Sequence, residues 1–242
     1  MPEESAPAEP AAVAGIRNFV WVEAGLVARG EQPPLVLESF ARLRDVGIRT
    51  VLSLRPDREP AAQVSVGNWP EYHVDEERQL VERSSLIFSH APMADFSAPL
   101  PEELATAMRE LDAHVARSPA VYVHCRAGAG RTTLVCGAWS IVGGLRGNQV
   151  VEGYQRFMQQ VAGLRGFPAG EDRAVYLRKV GQPRVLWALE QIAHALGSPV
   201  TIRPSELLPP EPPEHPNGWQ QAYQEALQPW RDRRARKLIS PP

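Results

Sequence analysis

The sequence predicts an α/β fold, a central, mostly parallel sheet of about four to five strands flanked by helices. Three observations carry that expectation. Leu37, Phe40 and Leu43 line one face of a helix that Gly47 stops, and the apolar run Thr50 to Leu54 follows directly. This is the helix–glycine–strand unit of α/β architecture. Leu104, Met108, Leu111 and Val115 step at the period of an amphipathic helix, and a second apolar run, Ala120 to Val123, comes after it. A glycine-rich stretch then leads from that run into another helix-compatible segment.

The elements follow in order. Residues 1–15 combine Pro, Ala and Glu without periodicity and read as a disordered tail. Phe19 to Val22 and Leu26 to Ala28 read as short strands. Arg55-Pro-Asp-Arg-Glu-Pro60 breaks the pattern at a strand's C-terminal rim, where open α/β sheets place their ligands. Arg55 either lines a site there or is a solvated loop arginine. Glu71 to Arg83 is a charged helix with Val74, Leu80 and Val81 as its apolar contacts. Ser85 to Ser89 reads as a strand, and a helix opens near Pro101 with Glu102 and Glu103 as first-turn acids.

Tyr154, Phe157, Met158 and Val161 repeat the helical step, as do Val185, Leu189, Ile192 and Leu196; both sets read as core. Between them Gly163 to Tyr176 is polar, with Glu171 and Asp172 as the residues that would contact a substrate. Leu207 to Pro216 reads as an extended, polyproline-like linker. Gly218 to Leu238 reads as a helix with Trp219, Tyr223, Leu227 and Trp230 on one face, docked on the domain or on another subunit. Its basic end reads as a solvated terminus. The organisation expected is a tail over 1–15, one domain over 16–197, and a proline-rich linker with a helical extension over 198–242.

Composition narrows the function classes. A chain of 242 residues, 43% hydrophobic, suffices for one sizeable core. A formal net charge of −2 is nearly neutral, so no global field argues for nucleic acid or membrane binding, and no nucleic-acid partner is expected. No apolar run reaches the length that spans a bilayer, so no membrane insertion is expected. The acidic, proline-rich start has no secretory pattern. Lys179 and Lys237 are the only lysines among many arginines, a bias that fits a high-GC bacterial genome. Of two cysteines, Cys136 sits among Leu134, Val135, Ala138 and Trp139 and reads as core. Cys125 has another setting. If it works as a thiolate it must stay reduced, which places the chain in the cytoplasm.

That setting is Val-His-Cys-Arg-Ala-Gly-Ala-Gly-Arg-Thr-Thr, Val123 to Thr133. Five residues separate Cys125 from Arg131, enough to close a loop around one tetrahedral anion. Gly128 and Gly130 allow backbone angles that a side chain forbids. The amides of Arg126, Ala127, Gly128, Ala129 and Gly130 then form an anion-binding nest beside a helix N-terminus. Arg131 supplies a planar fork for two phosphate oxygens. The same positive field lowers the pKa of a loop cysteine and arms its thiolate as a nucleophile. Thr132 is placed to steady the sulfur as a leaving group, and His124 to order the loop from behind. The Arg126 side chain adds a second cation to the substrate-binding set.

His124-Cys125-x-x-Gly128-x-x-Arg131-Thr132 resembles the phosphate-binding loop of the cysteine-dependent protein tyrosine phosphatase superfamily, in particular its dual-specificity and small bacterial members. The resemblance runs from about Asn18 to about Leu196, through Leu26-Val-Ala-Arg-Gly-Glu-Gln-Pro33 and Val46-Gly-Ile-Arg-Thr-Val-Leu-Ser-Leu-Arg55. It implies a tyrosine phosphatase-like fold and a cysteinyl-phosphate intermediate formed without metal or cofactor. It also implies an aspartate acid upstream of the cysteine. Asp95, in Ala91-Pro-Met-Ala-Asp-Phe-Ser-Ala-Pro99, lies thirty residues before Cys125 and fits that role; it also suits a turn or a helix cap.

The expected partner is a phosphorylated protein, phosphotyrosine above all, or a small phosphate ester. The Cys-x-Ala-Gly-x-Gly-Arg-Thr-Thr string and Gly67-Asn-Trp69 also resemble tyrosine-phosphatase-like phytases, so an inositol phosphate is the second expectation. Those enzymes' Thr-Asp-His acid motif is absent; Met93-Ala-Asp95 stands instead. A phosphate-binding module without turnover is the third. The oligomeric state has no signature in the sequence.

Overall fold

The computed structural model describes residues 15–16, 18–60, 62–64, 67–69, 71–94, 99–117, 120–164, 182–209 and 218–239. The first half runs β1 (Val20–Glu23), β2 (Val27–Gly30), α1 (Leu37–Asp45), β3 (Thr50–Ser53), β4 (Arg58–Glu59), β5 (Ala62–Val64), β6 (Gly67–Trp69), β7 (Tyr72–His73) and α2 (Val74–Arg83). Then come β8 (Ile87–His90), α3 (Pro101–Arg117), β9 (Val121–His124), α4 (Arg131–Gly143) and α5 (Gly147–Leu164). The described chain ends with α6 (Gln182–Ala195), α7 (Trp219–Ala226) and α8 (Gln228–Ile239).

Five strands form one sheet in the order β1-β2-β9-β3-β8, and only the β1–β2 pair is antiparallel. This is the mostly parallel α/β sheet that the sequence predicts. All residues of β9 and β3 are buried, which is why both read as continuous runs rather than alternating ones: helices cover both faces. Two small ribbons, β4–β7 and β5–β6, lie outside the main sheet.

Register decides where chemistry can assemble. Gly30, His124, Ser53 and His90 form one row across the parallel strands. The chain leaves all four strands at that edge, so the segments starting at Glu31, Cys125, Leu54 and Ala91 converge there.

Helix α4 follows directly. After Arg131 its residues are small or apolar, and ten of its thirteen are buried, so it runs through the core rather than over it. Gly137 makes this possible: a Cβ there would lie 3.0 Å from Val150 and 3.1 Å from Leu189.

Local signals set several boundaries. Gly47 ends the α1 unit at φ +98°, a conformation that glycine adopts without a Cβ penalty. Phe40 and Leu43 are buried as expected, whereas Leu37 at the helix start is exposed.

Two regions depart from expectation. The helix expected over Gly218–Leu238 is two helices that break at Leu227. Pro229 has no N–H for the Glu225 carbonyl and its ring crowds that group. The basic end is also less solvated than expected. Arg234 is buried, Arg233 pairs with Asp112 at 3.0 Å, and Lys237 Nζ donates to the Gly143 carbonyl at the end of α4. Tyr223, Leu227 and Trp230 join the main core; the Tyr223 hydroxyl donates to Pro99 O at 2.6 Å and Trp230 Nε1 to Asp112 at 2.6 Å.

The other region is α2. Val81 is buried as expected, but so is Glu77, completely, which was not among the apolar contacts expected of this charged helix. The tail over 1–14, the linker residues 210–217, Glu171, Asp172 and Asp95 lie outside the described residues.

Candidate active site

The loop from Cys125 to Arg131 spans the gap between the end of β9 and the start of α4. Five successive carbonyls in it are tied to groups around it. Cys125 O accepts from His124 Nδ1 at 3.3 Å, Arg126 O from the Gln32 amide at 3.1 Å, and Ala127 O from Asn18 Nδ2 at 3.3 Å. Gly128 O accepts from Arg29 Nη2 at 2.5 Å and Ala129 O from the Thr133 hydroxyl at 2.9 Å. A trans peptide points its N–H opposite to its C=O. The amides of Arg126, Ala127, Gly128, Ala129 and Gly130 therefore face away from those partners, toward the inside of the loop. Such a run of amides beside the first turn of α4 is an anion-binding concavity.

Gly128 is the residue that the loop requires to be glycine. Its φ is +68°, and a Cβ there would press into the backbone carbonyl of Gly30. Gly130 differs from the expectation: its φ is −102°, and a Cβ there meets open space. Gly128→Ala is expected to cost about 1–3 kcal/mol from the backbone conformation alone. A melting temperature equal to that of the wild type would show that the loop tolerates a side chain there.

Cys125 is 3% exposed and Arg131 4%. Arg131 Nη1 donates to Glu59 Oε1 at 2.7 Å, to Leu54 O at 3.3 Å and to Met93 O at 3.2 Å. The guanidinium is thus held from three sides by segments that leave β3 and β8. Thr132 is fully buried, and its hydroxyl has no hydrogen-bond partner among the described residues.

Glu59 is the centre of the charge arrangement, and the sequence reading passed over it. Besides Arg131 it takes Arg55 Nε at 2.9 Å and Nη2 at 2.7 Å, and Arg126 Nε at 3.0 Å. Burial pushes its carboxyl pKa up, but Arg131 and Arg55 outweigh burial, and the net shift is downward. The Arg126 side chain is therefore turned to Glu59 and to Pro60 O, and only its amide faces the loop interior. Arg55 is not a solvated loop arginine. It is buried over the Tyr72 ring at 3.7 Å and donates to Gln32 Oε1 at 3.3 Å. The signal that could have found the pair is the Arg55–Glu59 spacing within a segment already placed at the rim.

His124, expected to order the loop from behind, does contact it there. Its Nδ1 meets Cys125 O, and its Nε2 lies 2.9 Å from Glu77 Oε1 in an ion pair with no exposure on either side chain. Asp95 lies outside the described residues; the carbonyl of Met93, two positions earlier in the sequence, accepts from Arg131.

Residues 27–145 match the family described as "Tc-R-P: Polymorphic toxin system, DSP-PTPase phosphatase". None of the curated proteins compared with the chain matches it. Among solved structures, Tk-PTP in its active form is 21% identical, over 74% of this chain and 97% of that one, with a TM-score of 0.47. TpbA of P. aeruginosa in complex with pTyr is 19% identical, over 63% and 80%, at 0.46. The core catalytic domain of the PP-IP phosphatase SIW14 from S. cerevisiae is 17% identical, over 66% and 82%, at 0.45. The family match, not these distant likenesses, carries the assignment.

Proposed function

This chain belongs to the cysteine-dependent, tyrosine phosphatase-like superfamily, and from that premise we propose that it hydrolyses phosphate monoesters through Cys125, with phosphotyrosine as the preferred group. The observation that carries this reading is the loop itself, with five inward amides between a cysteine and a fixed arginine at a helix N-terminus.

In the mechanism proposed, the amides and the Arg131 fork hold three phosphate oxygens. The Cys125 thiolate attacks phosphorus; the S–P bond forms as the ester P–O bond breaks, and Asp95 gives its proton to the leaving oxygen. Asp95, now a carboxylate, takes a proton from water as the water attacks phosphorus. Inorganic phosphate forms and the thiolate leaves, steadied by the Thr132 hydroxyl. What supports this role for Asp95 is its place in the sequence, thirty positions before Cys125 and two after Met93, whose carbonyl accepts from Arg131. Neither metal nor cofactor enters these steps.

The direction of the Arg126 side chain favours a singly phosphorylated substrate over an inositol polyphosphate. A ring carrying many phosphates needs cations around the mouth of the site, and this one is committed to Glu59 and Pro60. Release of phosphate from a phosphotyrosine peptide and from inositol hexakisphosphate, measured side by side, tests this preference; faster release from the inositol compound reverses it. Asp95→Ala is expected to slow hydrolysis of alkyl phosphates by about 10²–10⁴-fold, the usual worth of a general acid, and to matter less for p-nitrophenyl phosphate. Equal rates for this variant and the wild type on an alkyl phosphate would remove Asp95 from the role.

A further inference from the structure

Arg29 enters none of the steps above, yet two of the loop's five oriented carbonyls depend on it. It stands on β2, where the parallel pairing with β9 sets it opposite Val123, two residues before Cys125. Its Nη2 donates to Gly128 O at 2.5 Å and to the Thr133 hydroxyl at 2.9 Å. That hydroxyl in turn donates to Ala129 O at 2.9 Å.

The donor directions admit no alternative. A guanidinium only donates and a carbonyl only accepts, so the Thr133 hydroxyl receives from Arg29 and passes its one hydrogen to Ala129. Two hydrogen-bonded chains therefore start from a single cation. One runs through the Gly128–Ala129 peptide and ends on the Ala129 N–H. The other runs through Thr133 and the Ala129–Gly130 peptide and ends on the Gly130 N–H. A trans peptide sets each N–H opposite its carbonyl, so both chains end facing the inside of the loop.

Charge sets Arg29 apart from the other guanidiniums of the site. Arg55, Arg126 and Arg131 share the Glu59 carboxylate. Arg29 has no carboxylate partner among the described residues: its contacts are the two acceptors above and the Phe157 ring, whose centre lies 4.7 Å from the guanidinium carbon. An aromatic face holds a cation without neutralising it. A charged donor also polarises the peptide that accepts from it, and the N–H on the far side becomes the stronger donor. Both chains thus turn their positive ends toward the place an anion would occupy.

We infer that Arg29 is a positioning residue for the phosphate group: directly, and through Thr133, it aims and polarises the Ala129 and Gly130 amides at the phosphate oxygens. The inference rests on the reading of the loop as the phosphate site. It divides the loop in two. The amides of Arg126, Ala127 and Gly128 take their direction from other groups, since the carbonyls of Cys125, Arg126 and Ala127 are held by His124, Gln32 and Asn18.

Binding of inorganic phosphate to the full chain, followed by calorimetry and by amide NMR, tests this without any turnover. In Arg29→Met, which keeps an unbranched apolar stem, the dissociation constant should rise about tenfold, the worth of one charge-assisted hydrogen bond. At saturating phosphate the downfield shifts of the Ala129 and Gly130 amide protons should shrink, while those of Arg126, Ala127 and Gly128 persist. In Thr133→Val only the Gly130 response should shrink. A merely structural role would move all five amides together.

Unchanged phosphate affinity in folded Arg29→Met overturns the inference, and so does an equal change at all five amides. Should Arg29→Met fail to fold, Thr133→Val decides by itself, and a Gly130 response equal to that of the wild type overturns the inference. Failure of the phosphatase reading looks different: phosphate bound with the stated pattern by a protein that releases none from a phosphotyrosine peptide.

Discussion

Cys125→Ser is expected to lower phosphate release by about four orders of magnitude or more, the scale on which enzymes lose turnover with their nucleophile. Binding of a phosphotyrosine peptide should stay near its wild-type strength. The reason lies in how the loop divides its labour. In the proposed mechanism binding comes from the inward amides and from Arg131, whose position is set by Glu59, Leu54 O and Met93 O rather than by the sulfur. Turnover in that mechanism needs an anion at residue 125. A serine hydroxyl stays protonated near neutral pH under a field strong enough to ionise a thiol. The second cysteine cannot substitute, because Cys136 is buried in α4 with its thiol raised to about 11. Cys136→Ala is the matching control and should retain turnover. Calorimetry with the peptide beside a phosphate-release assay separates the two quantities. Loss of both binding and turnover in folded Cys125→Ser would mean that the sulfur builds the cup instead of working in it.

The parts of this molecule that could be read from sequence are those whose cause is local. Gly47 stops α1, the apolar run at 121–123 needs helices on both faces, and the α3 periodicity reports one buried stripe. The cysteine–arginine loop is legible for the same reason, since its ingredients are consecutive. The carboxylates that organise it were not. Glu59 meets Arg131 across 72 positions of sequence, and Glu77 meets His124 across 47. In one dimension each stands among other charged residues and looks solvated. Only the register that brings the ends of β2, β9 and β3 to one edge, with α2 packed behind, shows that these two charges are enclosed. A buried charge is legible only together with its partner, and here the partners arrive from other strands. The α7–α8 break was legible in Pro229 and was passed over in favour of the aromatic stripe that crosses it.

Glu59→Gln is the sharpest test of that enclosed charge. Three guanidiniums share one carboxylate within a few ångströms, and its side chain is 4% exposed. Removing one member of a buried ion cluster leaves the others desolvated and uncompensated, at a cost of about 3–5 kcal/mol. The amide keeps the shape of the side chain, so the loss reports charge rather than packing. Arg131 also loses the partner that sets its Nη1, so turnover should fall together with stability. The pH dependence fixes the sign. The folded-state pKa of Glu59 lies below its unfolded value. Its contribution is therefore present above the unfolded carboxylate pKa, about 4.3, and is lost as pH falls through the lower, folded one. Urea unfolding from pH 3 to pH 7 should show the wild type losing this increment on the acid side, while the variant's curve is flatter there and the two converge at the lowest pH. If the two proteins unfold at the same urea concentration at pH 7, the arginines do not depend on Glu59. Their hold on the loop would then have to come from the backbone carbonyls of Leu54, Met93 and Pro60.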